Sequence, residues 1–525
     1  MVRNTIKNLP YKWVVMMIVM IGILMSVLDA SIVNISIPAM MADFGVSVDD
    51  VQWVVTAYML SFAVLMPLTT WFRDRIGYKT LYLFSLSLFT VGSLLCAMAW
   101  NLESLIFARI IQAIGGGAIS PTAMAMVMDV FEPRERGKAM GLFGLGIIIG
   151  PIFGPTLGGF LTKFFGWRSI FTINLPIGII GYFLASAFLR KDEAHALKKV
   201  PFDYGGFLFL TLFLVFMLLG ISKGQSKGWT SAYIVWCAII SGVSFILFAL
   251  TESLVEHPVI DYTIFKFPVF NVCMLITAVR SVALFGGIFL IPVFLQQIKG
   301  LDEIESGLIL IPGALIMAVM LPLTGRLSDK MSPRFLSILG MAFIALFMWM
   351  YTRIQPQMTD WDIIVPTLVR GFGMSLLMSP VMVTAMNAVP TKKSGTASAL
   401  LNIMGQIAGA IGIAVLSTVL HNRTAFHLAS LKTATVSVTS TMQNSIQGLV
   451  QFYHNEGFSY ASSMVGARSM MSVHLYHIAA TQAFQDAFWV GFWMMVLSFL
   501  PIWLMPSRPF TPSHSGGART APLSE

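Results

Sequence analysis

Long apolar runs alternate with short polar and charged segments from residue 13 to residue 505. The runs are roughly 17 to 25 residues long, which is the length that an α-helix needs to cross about 30 Å of hydrocarbon. They are not the alternating segments of about ten residues that build a membrane β-barrel. The pattern predicts fourteen transmembrane helices, at 13–35, 52–72, 80–98, 104–128, 137–164, 169–189, 205–221, 232–251, 269–295, 305–325, 334–353, 361–388, 395–420 and 485–505.

The composition excludes a soluble protein. Hydrophobic residues make up 56% of the 525 residues and charged residues only 11%, whereas soluble domains carry about 25% charged residues. The three cysteines lie inside apolar runs, and no histidine lies in the middle of a run, so neither residue type has the spacing of a disulfide framework, a metal site or a haem site. We expect an all-α membrane protein that is not an enzyme and that holds no metal or other cofactor.

The basic residues predict the orientation in the membrane. The tails and the loops after even-numbered helices hold about 21 Lys and Arg, and the opposite loops hold about nine. Because positive loops stay in the cytoplasm, we expect both termini there, in a bacterial inner membrane, and the formal charge of +9 needs no nucleic acid to explain it. The cytoplasmic loops are short and no G-x-x-x-x-G-K-[ST] motif occurs, which excludes an ATP-driven pump.

One outer loop, 421–484, is far longer than the others and is rich in Ser, Thr, Gln and His. Its apolar residues recur at helical spacing, which predicts a partly helical cap. The segment 506–525 is rich in Pro, Ser and Gly and is predicted to be a disordered tail.

Several markers recur at a nearly constant interval. The charged loop around Asp74 has a counterpart at Asp329, 255 residues later, and Arg109 has a counterpart at Arg370, 261 residues later. Such spacing is typical of transporters built from two fused copies of one helix bundle. We therefore divide the chain into four parts: a six-helix bundle (1–190), two inserted helices (205–251), a second six-helix bundle with the outer loop (269–505), and the tail.

Five motifs carry a family resemblance. Residues 28–38 resemble the signature L-D-x-T-I-V-N-V-A-L-P, and residues 167–178 follow W-R-x-x-F-x-x-N-x-P-x-G. Residues 109–113 resemble R-x-x-Q-G, with Ala113 in place of the Gly. The loop at 70–79 resembles G-x-L-a-D-R-x-G-R-k, with Thr70 in place of the first Gly. A fifth motif, G-x-x-x-G-P-x-x-G-G, is matched by Gly146, Gly150, Pro151, Gly154, Pro155, Gly158 and Gly159.

Together these motifs resemble the major facilitator superfamily, specifically its fourteen-helix branch of drug:proton antiporters. The resemblance covers nearly the whole chain and implies two six-helix bundles around a central cavity, driven by the proton gradient. The glycine motif is associated with antiporters and not with symporters. The start of the outer loop, from His421 to His427, is similar to the EmrB-type permeases, which implies a periplasmic adaptor and an outer-membrane channel as partners.

Four ionisable residues lie inside predicted spans: Asp29, Arg109, Arg280 and Arg370. Each costs about 2.5–3.5 kcal/mol on insertion scales, so each is a functional hypothesis. Asp29 and Arg109 both fall about 8–9 Å from the outer face and can meet. We expect Asp29 to carry the proton, Arg109 to modulate it and Gln112, one turn away, to be a hydrogen-bond partner; the alternative is a static ion pair that orients the helices.

The substrate site is predicted near the midplane, at Arg280 and Arg370. Three buried cations against one carboxylate would give a positive cavity, which suits hydrophobic weak acids better than lipophilic cations. The alternative is that backbone carbonyls satisfy the arginines. Asn402, Gln406 and Asn34 are further candidates, although hydrogen bonding between helices is the simpler role for the first two.

Two other features have structural and functional interpretations. Gly146, Gly150, Gly154 and Gly158 lie on one helix face, either for close packing alone or also, with the neighbouring Pro151, Pro155 and Gly159, as a hinge and seal against proton leak. The loops containing Asp74, Arg75 and Gly77, and Asp329, are expected to form cytoplasmic latches; ordinary solvated loop charges are the alternative.

The sequence therefore predicts export of hydrophobic compounds in exchange for protons. Three alternatives stay open at this point: a dedicated exporter of one metabolite or siderophore, a proton symporter for uptake, and a membrane assembly subunit that transports nothing and acts through the outer loop.

Overall fold

The structure is a computed structural model that describes residues 10–191, 201–256, 258–390, 393–437 and 439–507. These residues form helices and turns, with no strand among them. The longer helices, of 13 residues or more, are α1 Tyr11–Ile32, α2 Trp53–Leu65, α3 Leu68–Ala97, α4 Leu102–Val130, α5 Arg136–Phe165, α6 Asn174–Phe188, α7 Tyr204–Lys227, α8 Ala232–Leu254, α9 Pro268–Gln297, α10 Glu303–Ser328, α11 Pro333–Tyr351, α12 Asp360–Asn387, α13 Ser394–Ser437, α14 Thr439–Asn455 and α15 Tyr460–Leu497.

Within the described residues, twelve helical stretches are long and apolar enough to cross a membrane. They occupy every predicted position except the second and the fifth. The second position holds the shorter apolar helix α2, and the fifth holds α5, which has 30 residues. The all-α membrane fold is confirmed, whereas the number of fourteen spans stays a prediction.

Two helix boundaries differ from those predicted. The first span was predicted to end at residue 35, but helical structure continues through Val33–Ser36 and Ile37–Phe44 and stops at Gly45, which has a left-handed φ of 64°. Gly77, with φ 80° and ψ 166°, interrupts α3 and separates the end of the second predicted span from the third. Each of these boundaries lies at a glycine whose backbone conformation other residues rarely adopt.

The outer loop predicted at 421–484 is largely helical in its described part. Helix α13 extends past the predicted end of its span to Ser437, α14 lies within the loop, and α15 begins in it. Asp486 on α15 accepts hydrogen bonds from Arg423 Nε at 2.5 Å and His427 Nε2 at 2.7 Å on α13, so the two extended helices are joined near the base of the loop. The predicted tail lies outside the described residues from 508 onward.

The same positions pack together in both halves of the chain. In the first half α1 packs on α5, α2 on α4, and α3 on α4 and α6. In the second half α9 packs on α13, α10 on α12, and α11 on α12 and α15. The inserted helices α7 and α8 pack mainly on each other, and α8 presents exposed Trp236, Ile246 and Leu250, a surface suited to lipid.

The two halves meet mainly through α5. Its first turns lie against α10, where Gly137 and Gly325 bring the two backbones into direct contact. Arg136 Nη1 also donates to Asn387 Oδ1 on α12 at 2.6 Å. These contacts lie at the ends of the helices that the positive loops predict to be cytoplasmic.

Candidate functional site

Asp29 on α1 is buried, with 1% of the residue exposed. Its Oδ2 atom accepts a hydrogen bond from Arg109 Nη1 at 2.6 Å. Its Oδ1 atom accepts from Gln112 Nε2 at 2.7 Å and from Asn174 Nδ2 at 2.8 Å. Both carboxylate oxygens therefore have donors, which come from α4 and α6.

Arg109 joins three helices. It lies one turn from Gln112 on the same face of α4, and its Nη1 atom donates to Gln112 Oε1 at 2.6 Å as well as to Asp29. Its Nε atom donates to the carbonyl oxygen of Val54 at 3.3 Å, and its guanidinium lies 3.9 Å from the ring centre of Tyr58, close enough for a cation–π interaction. Because both of these residues are on α2, the arginine ties α1 and α2 to α4.

Asn174 and Ser93 belong to this cluster but were not predicted as site residues. Ser93 Oγ accepts from Gln112 Nε2 at 2.7 Å and from Asn174 Nδ2 at 3.3 Å, and thereby adds α3 to the network. Asn174 could have been found, since it is an amide inside an apolar run and part of the motif at 167–178. Ser93 gave no signal, because serines in apolar helices are common and usually bond to their own backbone.

The chemistry of the cluster follows from its burial. A buried ion pair that loses one partner costs about 3–5 kcal/mol, because the remaining charge has no compensation. A proton on Asp29 would remove the anion that Arg109 faces, and a neutral carboxyl cannot replace it. Proton binding at this position therefore requires α1 and α4 to move relative to each other, or requires another anion to approach Arg109.

The glycine motif of α5 packs against the segment of α1 that carries Asp29. A Cβ atom added to Gly150 would collide with Val27, and one added to Gly154 would collide with Ser31. Ser31 Oγ donates to the carbonyl oxygen of Gly150 at 2.8 Å. Gly146 and Gly158 also face α1, whereas Gly159 has space around it. Close helix packing is thus observed, and the hinge role stays a prediction. The side chains of Pro151 and Pro155 lie outside the described part of the structure.

Arg280 and Arg370 are partly buried on α9 and α12, in the second half of the chain. Arg280 Nε and Arg370 Nη1 are buried and have no hydrogen-bond partner among the described residues. Neither arginine forms an ion pair with a carboxylate among the described residues. The guanidinium of Arg370 lies 5.7 Å from the ring centre of Phe347. Two cations without a described counterion contrast with the fully paired Asp29 and Arg109.

The remaining predicted substrate residues have ordinary surroundings. Asn402 Nδ2 donates to the carbonyl oxygen of Ser398 in its own helix at 2.9 Å, so its described bond is not one between helices. Gln406 lies one turn further along α13 and is partly buried, and Asn34 is exposed in the segment Val33–Ser36. Their proposed roles stay predictions.

The predicted latch residues lie at the cytoplasmic contact between the halves. The carboxylate of Asp329 accepts from the backbone N–H groups of Gly137 at 2.8 Å and Lys138 at 3.2 Å, at the positive end of the α5 dipole. Burial raises the pKa of Asp329, while these two N–H donors oppose the shift. Asp74 forms an ion pair with its neighbour Arg73, which lies against Gly395 at the start of α13. The guanidinium of Arg75 lies 5.2 Å from the ring centre of Trp71.

Comparison with known proteins identifies the family of this chain. Residues 19–413 match the family model described as "Major Facilitator Superfamily". The chain is 34% identical to the riboflavin transporter RibZ of Clostridioides difficile, over 78% of this chain and 88% of that protein. It is 29% identical to the multidrug export protein EmrB of Haemophilus influenzae, over 93% of this chain and 94% of that protein.

The fold has solved counterparts. The crystal structure of the human organic anion transporter MFSD10 has a TM-score of 0.58 and 14% sequence identity to this chain, and covers 93% of this chain and 100% of its own. The EmrB-type resemblance read from the motifs is thus confirmed by similarity over nearly the whole chain. With three quarters of its residues matched by the family model, this chain belongs to the major facilitator superfamily.

Proposed function

We propose that this protein exports hydrophobic compounds across the bacterial inner membrane in exchange for protons. The observation that carries the proposal is the fully paired Asp29 and Arg109 cluster inside the membrane-spanning region. Placing an ionisable residue inside a membrane span costs free energy, so its presence indicates a role in proton or ion coupling. Similarity to proteins named for multidrug export supports the direction of transport.

The expected cycle follows from the cluster. With the cytoplasmic side closed, Asp29 takes up a proton from the outside and releases Arg109. The two halves then rock about the midplane and open the cytoplasmic side, where substrate binds and the proton leaves. The restored ion pair of Asp29 with Arg109 returns the substrate-loaded protein to the outward-open form.

We expect hydrophobic weak acids to be favoured substrates. Arg280 and Arg370 are the observation behind this, because each has a buried guanidinium nitrogen without a described partner. An anionic substrate would supply the missing acceptor, whereas a lipophilic cation would meet like charge.

The outer helices favour a tripartite assembly. Helix α13 has 44 residues and is therefore about 66 Å long, roughly twice the thickness of the hydrocarbon layer. With both termini in the cytoplasm, its second half and α14 project into the periplasm. A periplasmic adaptor that connects to an outer-membrane channel would bind there.

A dedicated transporter of one metabolite is the second candidate. The observation that favours it is the similarity to a protein named as a riboflavin transporter, at 34% identity. A panel of structurally unrelated substrates separates the two candidates, because a dedicated transporter responds to one of them only.

The test is proton movement in inside-out vesicles that contain the wild type, Asp29→Asn or the control Glu103→Gln. Glu103 is an exposed acid in the first turn of α4, so the control removes a charge near the cluster without entering it. We expect hydrophobic weak acids to dissipate the pH gradient with the wild type and the control, and not with Asp29→Asn.

Two results would contradict the proposal. Flux that survives in Asp29→Asn would place the proton elsewhere, and a preference for lipophilic cations would contradict the role of the arginines. No substrate-linked flux with any compound, with or without the adaptor, would revive the assembly subunit that transports nothing.

A further inference from the structure

Two acidic residues that the cycle above does not use lie together at the cytoplasmic ends of the inserted helices. Asp203 immediately precedes α7, and Glu252 lies in the last turn of α8. Only 9% of Asp203 and 6% of Glu252 are exposed. Acidic side chains are almost never buried to this extent without a partner.

Each carboxyl has one satisfied oxygen and one free oxygen. Asp203 Oδ1 accepts from the N–H group of Gly206 at 2.8 Å and caps α7, and Glu252 Oε1 accepts from the N–H group of Val259 at 3.0 Å. The other oxygens, Asp203 Oδ2 and Glu252 Oε2, are buried and have no hydrogen-bond partner among the described residues.

Gly206 allows the two carboxyls to approach each other. A Cβ atom built on this glycine would lie 3.0 Å from Glu252 Oε1 and closer still to Asp203 Oδ2. The two carboxyls therefore border the same small space, which any side chain at position 206 would fill. Two negative charges that border one small, buried space repel strongly.

Among the described residues, no positive charge neutralises the pair. A cavity of about 60 Å³ adjoins Asp203 and is lined by Trp71, Asp74 and Val259, among others, which is enough for one or two water molecules. The charged side chain lining it from α3 is Asp74, which is paired with Arg73. From the segment after α8, Asp261 is paired with Lys393 at 2.7 Å. In the described residues, no Lys, Arg or His bonds to Asp203 or Glu252.

We propose that Asp203 and Glu252 share one proton and form a second proton site, separate from Asp29, at the cytoplasmic end of the inserted helices. The proton is covalently held by one carboxyl and donated to an oxygen of the other, which leaves one negative charge instead of two. The cavity that Asp203 and Asp74 line lies beside this site.

The second proton site assigns a function to the inserted helices. Loss of the proton leaves two adjacent charges that push the start of α7 away from the end of α8. The other end of α7 contacts both halves of the molecule: Lys223 Nζ donates to Gln52 Oε1 at 3.0 Å, and Gln225 Oε1 accepts from Thr418 Oγ1 at 3.1 Å. Movement of α7 at the cytoplasmic end is thereby transmitted to contacts with both bundles.

The test is an infrared pH titration of the purified full-length protein in lipid, following the C=O stretching band of protonated carboxylic acids. We expect a band near neutral pH whose midpoint belongs to the pair. Asp203→Asn and Glu252→Gln should each shift the midpoint of the remaining acid downward by about one pH unit or more, because each removes a neighbouring negative charge. Glu256→Gln, an exposed acid nearby, should leave the midpoint unchanged.

Absence of the band in the wild type near neutral pH would overturn the proposal, as would an unchanged midpoint in the variants. Two independent variants keep the test decisive if one of them fails to fold, which its melting temperature in detergent reports. Asp29→Asn should retain the band and its midpoint, so failure of the antiport proposal is distinguishable from failure of this one.

Discussion

At the scale of single residues, the ion pair of Asp29 with Arg109 is the most deeply buried of the described ion pairs, with 0% and 1% of the two side chains exposed. The guanidinium makes five described contacts, to Asp29, Gln112, Val54, Tyr58 and Phe171. Its removal leaves Asp29 with two neutral amide donors and no opposite charge. The fold depends on this pair because its two members cannot be separately solvated in the membrane interior.

We therefore expect Arg109→Gln to lower the free energy of unfolding by about 3–5 kcal/mol, measured by thermal or denaturant unfolding in detergent. The double variant Arg109→Gln with Asp29→Asn should recover much of this loss, since it has no unpaired charge. Equal stability of the single and the double variant would show that the arginine acts through packing on Tyr58 and Val54 and not through charge.

Residue patterns in the sequence led to three of the five polar residues of this cluster. Asp29, Arg109 and Gln112 were predicted because charged and amide groups stand out in apolar runs, and helical spacing places Arg109 and Gln112 on one face. Ser93 and Asn174 required the tertiary structure, since their roles depend on how α3 and α6 are rotated toward α1. No local pattern contains that rotation.

At the scale of secondary structure elements, α5 has two glycine surfaces that serve different neighbours. Gly137 and Gly141 face α10 in the other half, and Gly150 and Gly154 face α1 in the same half. One helix thus contacts both the cytoplasmic interface and the segment that carries Asp29. Movement of α5 relative to α10 is therefore directly coupled to α1.

The glycine contact with α1 predicts a position-specific result. Gly150→Ala would place a methyl group against Val27, including its backbone, and should destabilise the protein by about 1–3 kcal/mol. Gly159→Ala is the matched control in the same motif, because the nearest atom, on Ile35, is 4.0 Å from the added carbon. Melting temperatures of the two variants check this; a control as unstable as Gly150→Ala would mean that helix flexibility, not contact, is responsible.

Element boundaries were the least predictable part of the fold. The run at 395–420 was predicted to end where polar residues begin, yet α13 continues to Ser437. Beyond the predicted end, Arg423 and His427 of α13 bond to Asp486 of α15, which packs along it. Hydropathy marks where lipid ends and carries no information about a helix that continues in water. Gly45 and Gly77, the two glycines at these helix boundaries, are local signals that a hydropathy pattern does not include.

At the scale of the whole molecule, Asp329 bonds to the N-terminus of α5 in the other half, and we expect this contact to hold the cytoplasmic side closed. Since burial raises the pKa of Asp329 in this arrangement, the closed form binds a proton more readily than an exposed carboxyl would. The closed form therefore gains stability over the open form as the pH falls through the raised pKa, and loses it as the pH rises.

Pulsed EPR distances between spin labels at Glu132→Cys and Phe335→Cys can measure this equilibrium. Both positions are exposed on opposite halves near the cytoplasmic contact, and the three native cysteines are buried. We expect the short distance to lose population as the pH rises from the ordinary aspartate range upward. Asp329→Asn should remove this dependence and the adjacent, exposed Lys330→Gln should retain it; a dependence unchanged in Asp329→Asn would assign it to another group.

The sequence alone determined the membrane environment, the order of the helices, the family motifs and the charged residues of the first half, because lipid forces apolar runs into helices and makes every intramembrane charge conspicuous. The tertiary structure decided which polar groups meet: Asn174 and Ser93 at Asp29, Asp329 at the start of α5, and Asp203 beside Glu252. Those contacts depend on how each helix is rotated and on the close approach of segments at glycines such as Gly206. They are set by packing between segments that are distant in the chain, which no single segment specifies.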